Sequence, residues 1–152
     1  MSAAPGSGGR WIDPRGHRFG AILSVVILSA AIVFNLPILV AAIGLALFVS
    51  AWFGTQYSAL GKPWPYVRKA FKIGPPKELE SEFPPRFAQA LGSLVIGFAV
   101  ISFLLGVPIL GWGFTLAVIG LQALLGLTGY CLGCKLYFLR WYAPGLFERL
   151  AR

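Results

Sequence analysis

The residues with the clearest chemistry in this chain are two cysteines near its end, in the stretch TGYCLGCKLYF at positions 128–138. Cys131 and Cys134 are the only cysteines, and their spacing places both sulfurs on one face of a helix. Such a pair can carry sulfur or alternate between dithiol and disulfide, one cysteine attacking and the other resolving the mixed disulfide. Lys135 follows directly, and a neighbouring cation favours the reactive thiolate.

The position of the pair within its helix bears on this chemistry. At the C-terminal end of a membrane helix, the helix dipole disfavours a thiolate. Gly129 and Gly133 are expected to break the helix, so that Cys134 opens a second, amphipathic helix and gains a favourable N-terminal position. Arg18 or His17 is expected nearby as a further cation. A purely structural disulfide is not expected, because the cytoplasm keeps thiols reduced.

Two other interpretations of the cysteines stay open. In the first, they are small apolar residues packed beneath a belt of four aromatic residues, Tyr130, Tyr137, Trp141 and Tyr142. In the second, they supply half of a tetrahedral zinc site. His17 and Asp13 are then the candidate ligands at the same depth, together with glutamates of the central loop, and a partner or second copy would have to complete the set. We predict no complete metal site and no cofactor.

The elements that must position these residues are those of a membrane protein. Apolar residues make up 57% of the chain and charged residues 12%, and the mean hydropathy is +0.76. Soluble domains are far more polar. Two long segments, 19–61 and 87–134, contain no charged residue. Each is long enough for two helices that cross the hydrocarbon core, joined by a tight turn.

The predicted fold is therefore an all-α integral membrane bundle of four transmembrane helices, arranged as two helical hairpins. The spans are expected near 19–35, 37–54, 87–106 and 110–131, within a single domain at 11–138. The sequence NLP interrupts the first apolar segment and GVP interrupts the second. Residues 1–10 are expected to be a disordered arm, and 139–152 an amphipathic cytoplasmic tail.

Basic residues predict the orientation. All 13 Lys and Arg residues lie before the first span, in the loop 55–86 or after the last span, and the two turns carry none. Because positive charge is retained on the cytoplasmic side, both termini and this loop should face the cytoplasm of a bacterial plasma membrane. The net charge of +8 then favours anionic lipid. Nucleic acid is not an expected partner, since no soluble domain is long enough to present a basic surface.

The central loop and the ends of the spans contain further signals. The stretch at 60–73 places Trp64, Val67 and Phe71 on one face, which predicts an interfacial amphipathic helix. Asp13 and Pro14 have the pattern of an N-cap and a first helical residue. Small residues four apart predict close helix packing at three sets: Ala42/Ala46/Ser50, Ala88/Gly92 and Ser93/Gly97. Gln89 and Gln122 are expected to hydrogen-bond between helices.

The two halves also resemble each other. Segments that begin at Arg18 and Arg86 share an opening Arg-Phe, a span of similar length and a Pro-Ile-Leu at the turn. Since two spans separate them, the copies would have the same orientation. A tandem repeat of one hairpin is therefore a hypothesis.

Three motifs, DPRGHRFG, PPRFAQALG and above all GYCLGCKLYF, resemble a small, largely actinobacterial family of integral membrane proteins of unknown function. The resemblance covers essentially 11–138, and its Cys-Leu-Gly-Cys-Lys motif is specific whereas the apolar spans are not. It implies four transmembrane helices and, as neighbours, thioredoxin-like proteins and rhodanese-type sulfurtransferases. It implies no activity.

The leading hypothesis is a membrane protein that handles thiol redox or sulfur species at the cytoplasmic face, with a thioredoxin-like or rhodanese-type partner. Cys131 and Cys134 would be its working residues, and Lys135 would stabilise a thiolate. A stand-alone enzyme is not indicated, since no catalytic triad, phosphate loop or full metal set is present. The alternative is a structural or accessory subunit of a larger membrane complex. A small permeation path is a third hypothesis, and a homodimer is a further hypothesis because four spans make a thin bundle.

Overall fold

The computed structural model describes residues 11–133 and 135–136. This part contains five α-helices: α1 (Pro14–Val33), α2 (Pro37–Phe53), α3 (Trp64–Ala70), α4 (Phe83–Leu104) and α5 (Pro108–Thr128). A 3₁₀ turn covers Thr55–Tyr57, and β1 (Trp11–Ile12) pairs antiparallel with β2 (Glu80–Ser81). The predicted helical class is confirmed. The predicted arm at 1–10, the tail at 139–152, Cys134 and three of the belt aromatics, Tyr137, Trp141 and Tyr142, lie outside the described residues.

Three of these helices, α1, α4 and α5, are long and apolar enough to cross a membrane, with 20, 22 and 21 residues. The helix α2 is apolar but shorter, with 17 residues. The sequence predicted four spans in two hairpins, so the crossing by α2 and the hairpin arrangement stay predictions. The predicted limits also shift, because α1 begins at Pro14, α4 begins at Phe83 and α5 ends at Thr128.

The early start of α1 follows from its first residues. The Asp13 side chain accepts a hydrogen bond from the Arg15 backbone N–H at 2.9 Å, and Pro14 occupies the first helical position. An N-cap carboxylate satisfies an amide that has no partner inside the helix, and proline lacks the amide that would otherwise be unsatisfied. The predicted helix start is confirmed, and the helix extends beyond the apolar segment at this end.

The two connections between long helices have the same backbone geometry. After α1, Asn35 has φ +51° and the Leu36 N–H donates to the Ala31 carbonyl at 2.8 Å. After α4, Gly106 has φ +76° and the Val107 N–H donates to the Ser102 carbonyl at 2.9 Å. In each connection, one residue in the left-handed conformation ends the helix, and a proline, Pro37 or Pro108, begins the next helix. This equivalence supports the repeat hypothesis at the level of the turns.

The core lies between α1, α2, α4 and α5. The most extensive contact between two helices is that of α2 with α4. Gly44 lies so close to Ile96 that a β-carbon on Gly44 would collide with it. Nearer the loop end, the buried Ser50 hydroxyl donates to Gln89 Oε1 at 2.5 Å. The predicted interhelical hydrogen bond of Gln89 is thus confirmed, as is the packing role of Ser50.

One of the small-residue predictions is wrong. Around the β-carbon position of Gly97 there is no atom within 4 Å, so this glycine does not mediate a contact inside the bundle. Gly92 does face a neighbour, Leu47 Cδ1 at 3.5 Å. A repeat of small residues every four positions defines a face but does not say whether that face points to a neighbouring helix or outward.

The loop end of the bundle is tied together by contacts between distant segments. The strand pair joins Trp11 to Ser81 and Ile12 to Glu80, a pairing that the sequence did not predict. The helix α3 is shorter than the predicted 60–73, and its C-cap residue Phe71 is 74% exposed. That this helix lies at the membrane interface stays a prediction. The Trp64 ring lies beside the Phe19 ring, with centroids 5.7 Å apart and the planes tilted by 39°.

Candidate functional site

The last membrane-length helix ends before the cysteine motif begins. Gly129 adopts the left-handed conformation, φ +72°, and its N–H donates to the Leu125 carbonyl, which terminates α5 at Thr128. Helical geometry resumes at Leu132, and the Lys135 N–H donates to the Cys131 carbonyl at 3.0 Å. The predicted break at Gly129 is confirmed. Cys131 therefore stands at the beginning of a new helical turn, the position that we had predicted for Cys134.

Cys131 is disulfide-bonded, and its partner lies outside the described residues. Cys131 is half-buried, and its neighbours Tyr130 and Leu132 are exposed. A cysteine in this state is not available as a thiolate ligand to a metal. Among the described residues, no group of three or more His, Cys, Asp or Glu side chains is arranged to hold a metal ion.

The Lys135 side chain contacts an aromatic ring. Its ammonium nitrogen lies over the Tyr130 ring, 5.1 Å from the ring centroid. A cation in this position is attracted by the negative face of the ring. The contact joins two exposed side chains that lie on either side of Cys131 in the sequence. That Lys135 also stabilises a thiolate stays a prediction.

Arg18 lies beside the cysteine segment, as expected. Its guanidinium donates to the carbonyls of Gly126 and Leu127, both at 3.3 Å, and it packs against Gly129. Carbonyls in the last turn of a helix have no partner inside the helix, and a cation there also complements the dipole. Arg18 therefore fixes the end of α5, from which Cys131 is only three residues away.

Gly133 anchors the other side of the cysteine segment. A β-carbon on Gly133 would lie 2.7 Å from Ala88 Cβ and 2.9 Å from Ala88 Cα, on the first turns of α4. These distances are shorter than van der Waals contact, so only glycine allows this approach. Gly133, one of the two residues between the cysteines, is thus a packing contact, and because it lies within the new helical turn the predicted helix break at Gly133 is wrong.

His17 has a different role from the predicted cation beside the cysteines. It lines a cavity of about 640 Å³ at the loop end of the bundle, where Asp13 is also a wall residue. Its Nε2 atom is fully buried and has no hydrogen-bond partner among the described residues. Sequence reasoning missed this cavity, because its walls come from all five helices and the loop before α3.

These features define a helical bundle with three helices able to cross a membrane and a disulfide-bonded cysteine at one end. Residues 12–141 match the family model described as a domain of unknown function, DUF4395. The chain belongs to this family. No curated protein and no solved structure matches it. The bacterial origin, the cysteine motif as a family signature and the thioredoxin-like or rhodanese-type neighbours stay predictions.

Proposed function

We propose that this chain is a membrane protein that exchanges disulfides or carries sulfur through Cys131 and Cys134, together with a thioredoxin-like or sulfurtransferase partner. The observation that carries the proposal is the disulfide-bonded Cys131 on a turn just beyond the last span. In the exchange, a partner thiolate attacks one sulfur and the other leaves as a thiolate. The partner's second thiol then resolves the mixed disulfide, so the partner is oxidised as the cysteine pair is reduced.

The position of Cys131 removes an objection to this chemistry. Had α5 continued through the motif, its C-terminal dipole would disfavour a thiolate. However, α5 ends at Thr128, and a new helical turn follows Cys131. Cys131 therefore stands at the N-terminal end of this turn, where backbone N–H groups are unpaired, and not at a C-terminal end with unpaired carbonyls. Sulfur transfer needs the same thiolate, which would attack the outer sulfur of a partner persulfide and release the partner thiol.

The membrane arrangement is part of the proposal. Four spans, with α2 crossing beside α4, would place the starts of α1 and α4 and the ends of α2 and α5 on one side. Contacts between these four ends support that arrangement, since Arg18 reaches α5 and Arg86 reaches α2. Along the sequence, the basic residues lie before or in the first turns of α1 and α4, between α2 and α4, or after α5, which favours a cytoplasmic location for this end in a bacterial plasma membrane.

The test is the intact mass of the full chain in lipid nanodiscs. Oxidised glutathione should remove two hydrogens from the reduced protein, about 2 Da, and thioredoxin with its reductase and NADPH should restore them. A sulfurtransferase with thiosulfate should add one sulfur, about 32 Da. Cys131→Ser and Cys134→Ser should each abolish the loss of 2 Da. Lys135→Gln is the matched variant beside the pair, which tests the thiolate role directly.

Two thiols that stay unmodified in the folded protein would overturn the proposal. Oxidation without reduction by thioredoxin would also count against it, because a working pair must return to its starting state. If Lys135→Gln slows oxidation at neutral pH, Lys135 favours the thiolate. If the rate stays within about twofold, the contact with Tyr130 is its main role.

A second function, an accessory subunit of a larger membrane complex, is favoured by one observation. A shallow groove between α2 and α4 is lined by the small residues Ala90, Ser93 and Gly97, and Gly97 faces open space. Small residues let a further helix approach closely. Gly97→Leu should then abolish co-purification with the complex, whereas Gly120→Leu, also at an open position, should not. Cys131→Ser and Cys134→Ser should both still co-purify with the complex if this alternative is correct.

A further inference from the structure

The cavity that α3 and the start of α1 line contains none of the residues assigned to the cysteine chemistry. Its walls come from the start of α1, the end of α2, the segment 55–62 and α3, and its inner end is marked by Gln89 of α4 and Gln122 of α5. A volume of about 640 Å³ lies within the range of small-molecule sites. Trp64 connects α3 to the start of α1 at the outer side of the cavity. Its Nε1–H donates to Asp13 Oδ2 at 3.1 Å, and its ring packs against Gly16.

One inner side chain lacks a partner. The Nε2 atom of His17 is buried without a hydrogen bond among the described residues. The half-buried Gln122 amide is a further polar group of the cavity wall. A buried polar atom without a partner costs free energy, so each one in a folded protein calls for an explanation. A ligand with an uncharged hydrogen-bonding group beside His17 would remove this cost, and Gln122 offers a second hydrogen-bonding group in the same wall.

The charge around the cavity is positive. Asp13 is already engaged, by the Arg15 N–H, by Trp64 and by Arg68 at 3.9 Å. Lys62 and Lys69 line the cavity and are exposed, and neither has a carboxylate within ion-pair distance among the described residues. The unpaired charges around this cavity are therefore cationic.

The remaining wall is largely apolar or aromatic, with Trp11, Trp64 and Tyr66 near the lysines and Leu47 further in. Such walls suit a hydrocarbon or ring rather than a bare ion. We infer that the cavity binds an amphipathic organic anion, with its anionic group at Lys62 and Lys69, its apolar body against Trp64 and Leu47, and a hydroxyl or carbonyl at His17 and Gln122. This inference is independent of the thiols.

The test uses lysophosphatidylglycerol as the probe, since it combines a phosphate, hydroxyl groups and one acyl chain. The full chain in a non-ionic detergent is titrated with it, and native mass spectrometry counts the bound molecules. We expect one saturable adduct, and weaker binding of lysophosphatidylcholine, which has the same chain but no net charge. Competition by glycerol 3-phosphate assigns the site to a soluble anion, and its absence assigns the site to a membrane lipid.

Variants locate the site. The pair Lys62→Gln and Lys69→Gln should weaken binding about tenfold, because charge-assisted hydrogen bonds are lost. The matched pair Lys72→Gln and Lys77→Gln, which removes the same charge outside the cavity, should change binding less than about twofold. His17→Leu should also weaken binding about tenfold.

If His17→Leu fails to fold, the lysine variants still test the site. Both lysines are exposed, so their substitution should not disturb folding. Equal loss of binding in the two lysine pairs would overturn the inference, because it would show attraction to net charge rather than to the cavity. Equal binding of the choline probe would overturn it as well.

Discussion

Arg18 and Arg86 make equivalent contacts, each with the final turn of a helix from the other half of the chain. Arg18, at the start of α1, donates to Gly126 and Leu127 of α5, and Arg86, at the start of α4, donates to Ala51 and Trp52 of α2. In both cases the acceptors are the two residues before the last residue of the helix. The repeated Arg-Phe of the sequence therefore corresponds to a repeated contact between the halves.

This relationship predicts a ranking of arginine variants. The bonds of Arg86, at 3.0 and 2.8 Å, are shorter than the 3.3 Å bonds of Arg18, and Arg15 has one exposed bond at 3.4 Å. Lysine keeps the charge but has no guanidinium, so it cannot donate from two nitrogens as Arg86 does through Nε and Nη2. Arg86→Lys should lower the free energy of unfolding most, by on the order of 1 kcal/mol, followed by Arg18→Lys.

Arg15→Lys is the control for this series and should have little effect. Unfolding in detergent, followed by circular dichroism against increasing dodecyl sulfate, measures the ranking. Equal effects at Arg15 and Arg86 would contradict the capping role, because they would reflect arginine content rather than the helix ends.

The bond between Ser50 and Gln89 predicts a measurable coupling between α2 and α4. Ser50→Ala removes the donor and should cost about 1 kcal/mol, as expected for a hydrogen bond between membrane helices. Ser93→Ala is the control, since its hydroxyl donates within its own helix, to the Ala90 carbonyl at 2.8 Å.

A double-mutant cycle with Gln89→Leu isolates the pair. The two single variants should together cost more than the double variant, by about 0.6 kcal/mol. Strict additivity in the same unfolding assay would show that the bond contributes nothing to stability.

The contact of Gly133 with Ala88 predicts that the cysteine segment is sensitive to one methyl group. Gly133→Ala would place a β-carbon 2.7 Å from Ala88 Cβ, so the segment must move away from α4. We expect faster reduction of the disulfide by thioredoxin, because the displaced segment is more accessible, and a loss of about 1 kcal/mol of stability. Stopped alkylation followed by mass measurement gives the reduction rate.

Gly97→Ala is the matched control in a helix, at a position with open space. It should leave the reduction rate unchanged and stabilise the protein slightly, since alanine favours helices over glycine by up to about 1 kcal/mol. A reduction rate in Gly133→Ala equal to that of the unaltered chain would mean that Ala88 does not hold the cysteine segment.

Local signals in the sequence predicted the local structure well. Asp13 and Pro14 indicated the start of α1, and Gly129 indicated the end of α5, because caps and left-handed residues act over a few positions. The next helical turn begins earlier than predicted for a related reason. One glycine ended the helix earlier than the length of the apolar segment suggested, which moved Cys131 to the start of the next turn.

Contacts between distant segments could not be predicted. The repeated Arg-Phe was visible, but that Arg18 reaches α5 depends on how the halves pack. The depth of His17 in the sequence indicates a place beside the cysteines, whereas its side chain lines the cavity together with Gly16 and Trp64. Gly97 shows the same limit, since its face points to the outer groove.

The most direct test of the central proposal is a redox titration of the cysteine pair in the membrane. The full chain in nanodiscs is equilibrated with glutathione at defined ratios of the reduced and oxidised forms, free thiols are alkylated in acid, and intact mass gives the fraction oxidised. We expect one reversible two-electron transition, reached equally from the oxidised and the reduced protein, and absent in Cys131→Ser and Cys134→Ser. A pair that keeps its starting state at every ratio while the protein stays folded would contradict the account.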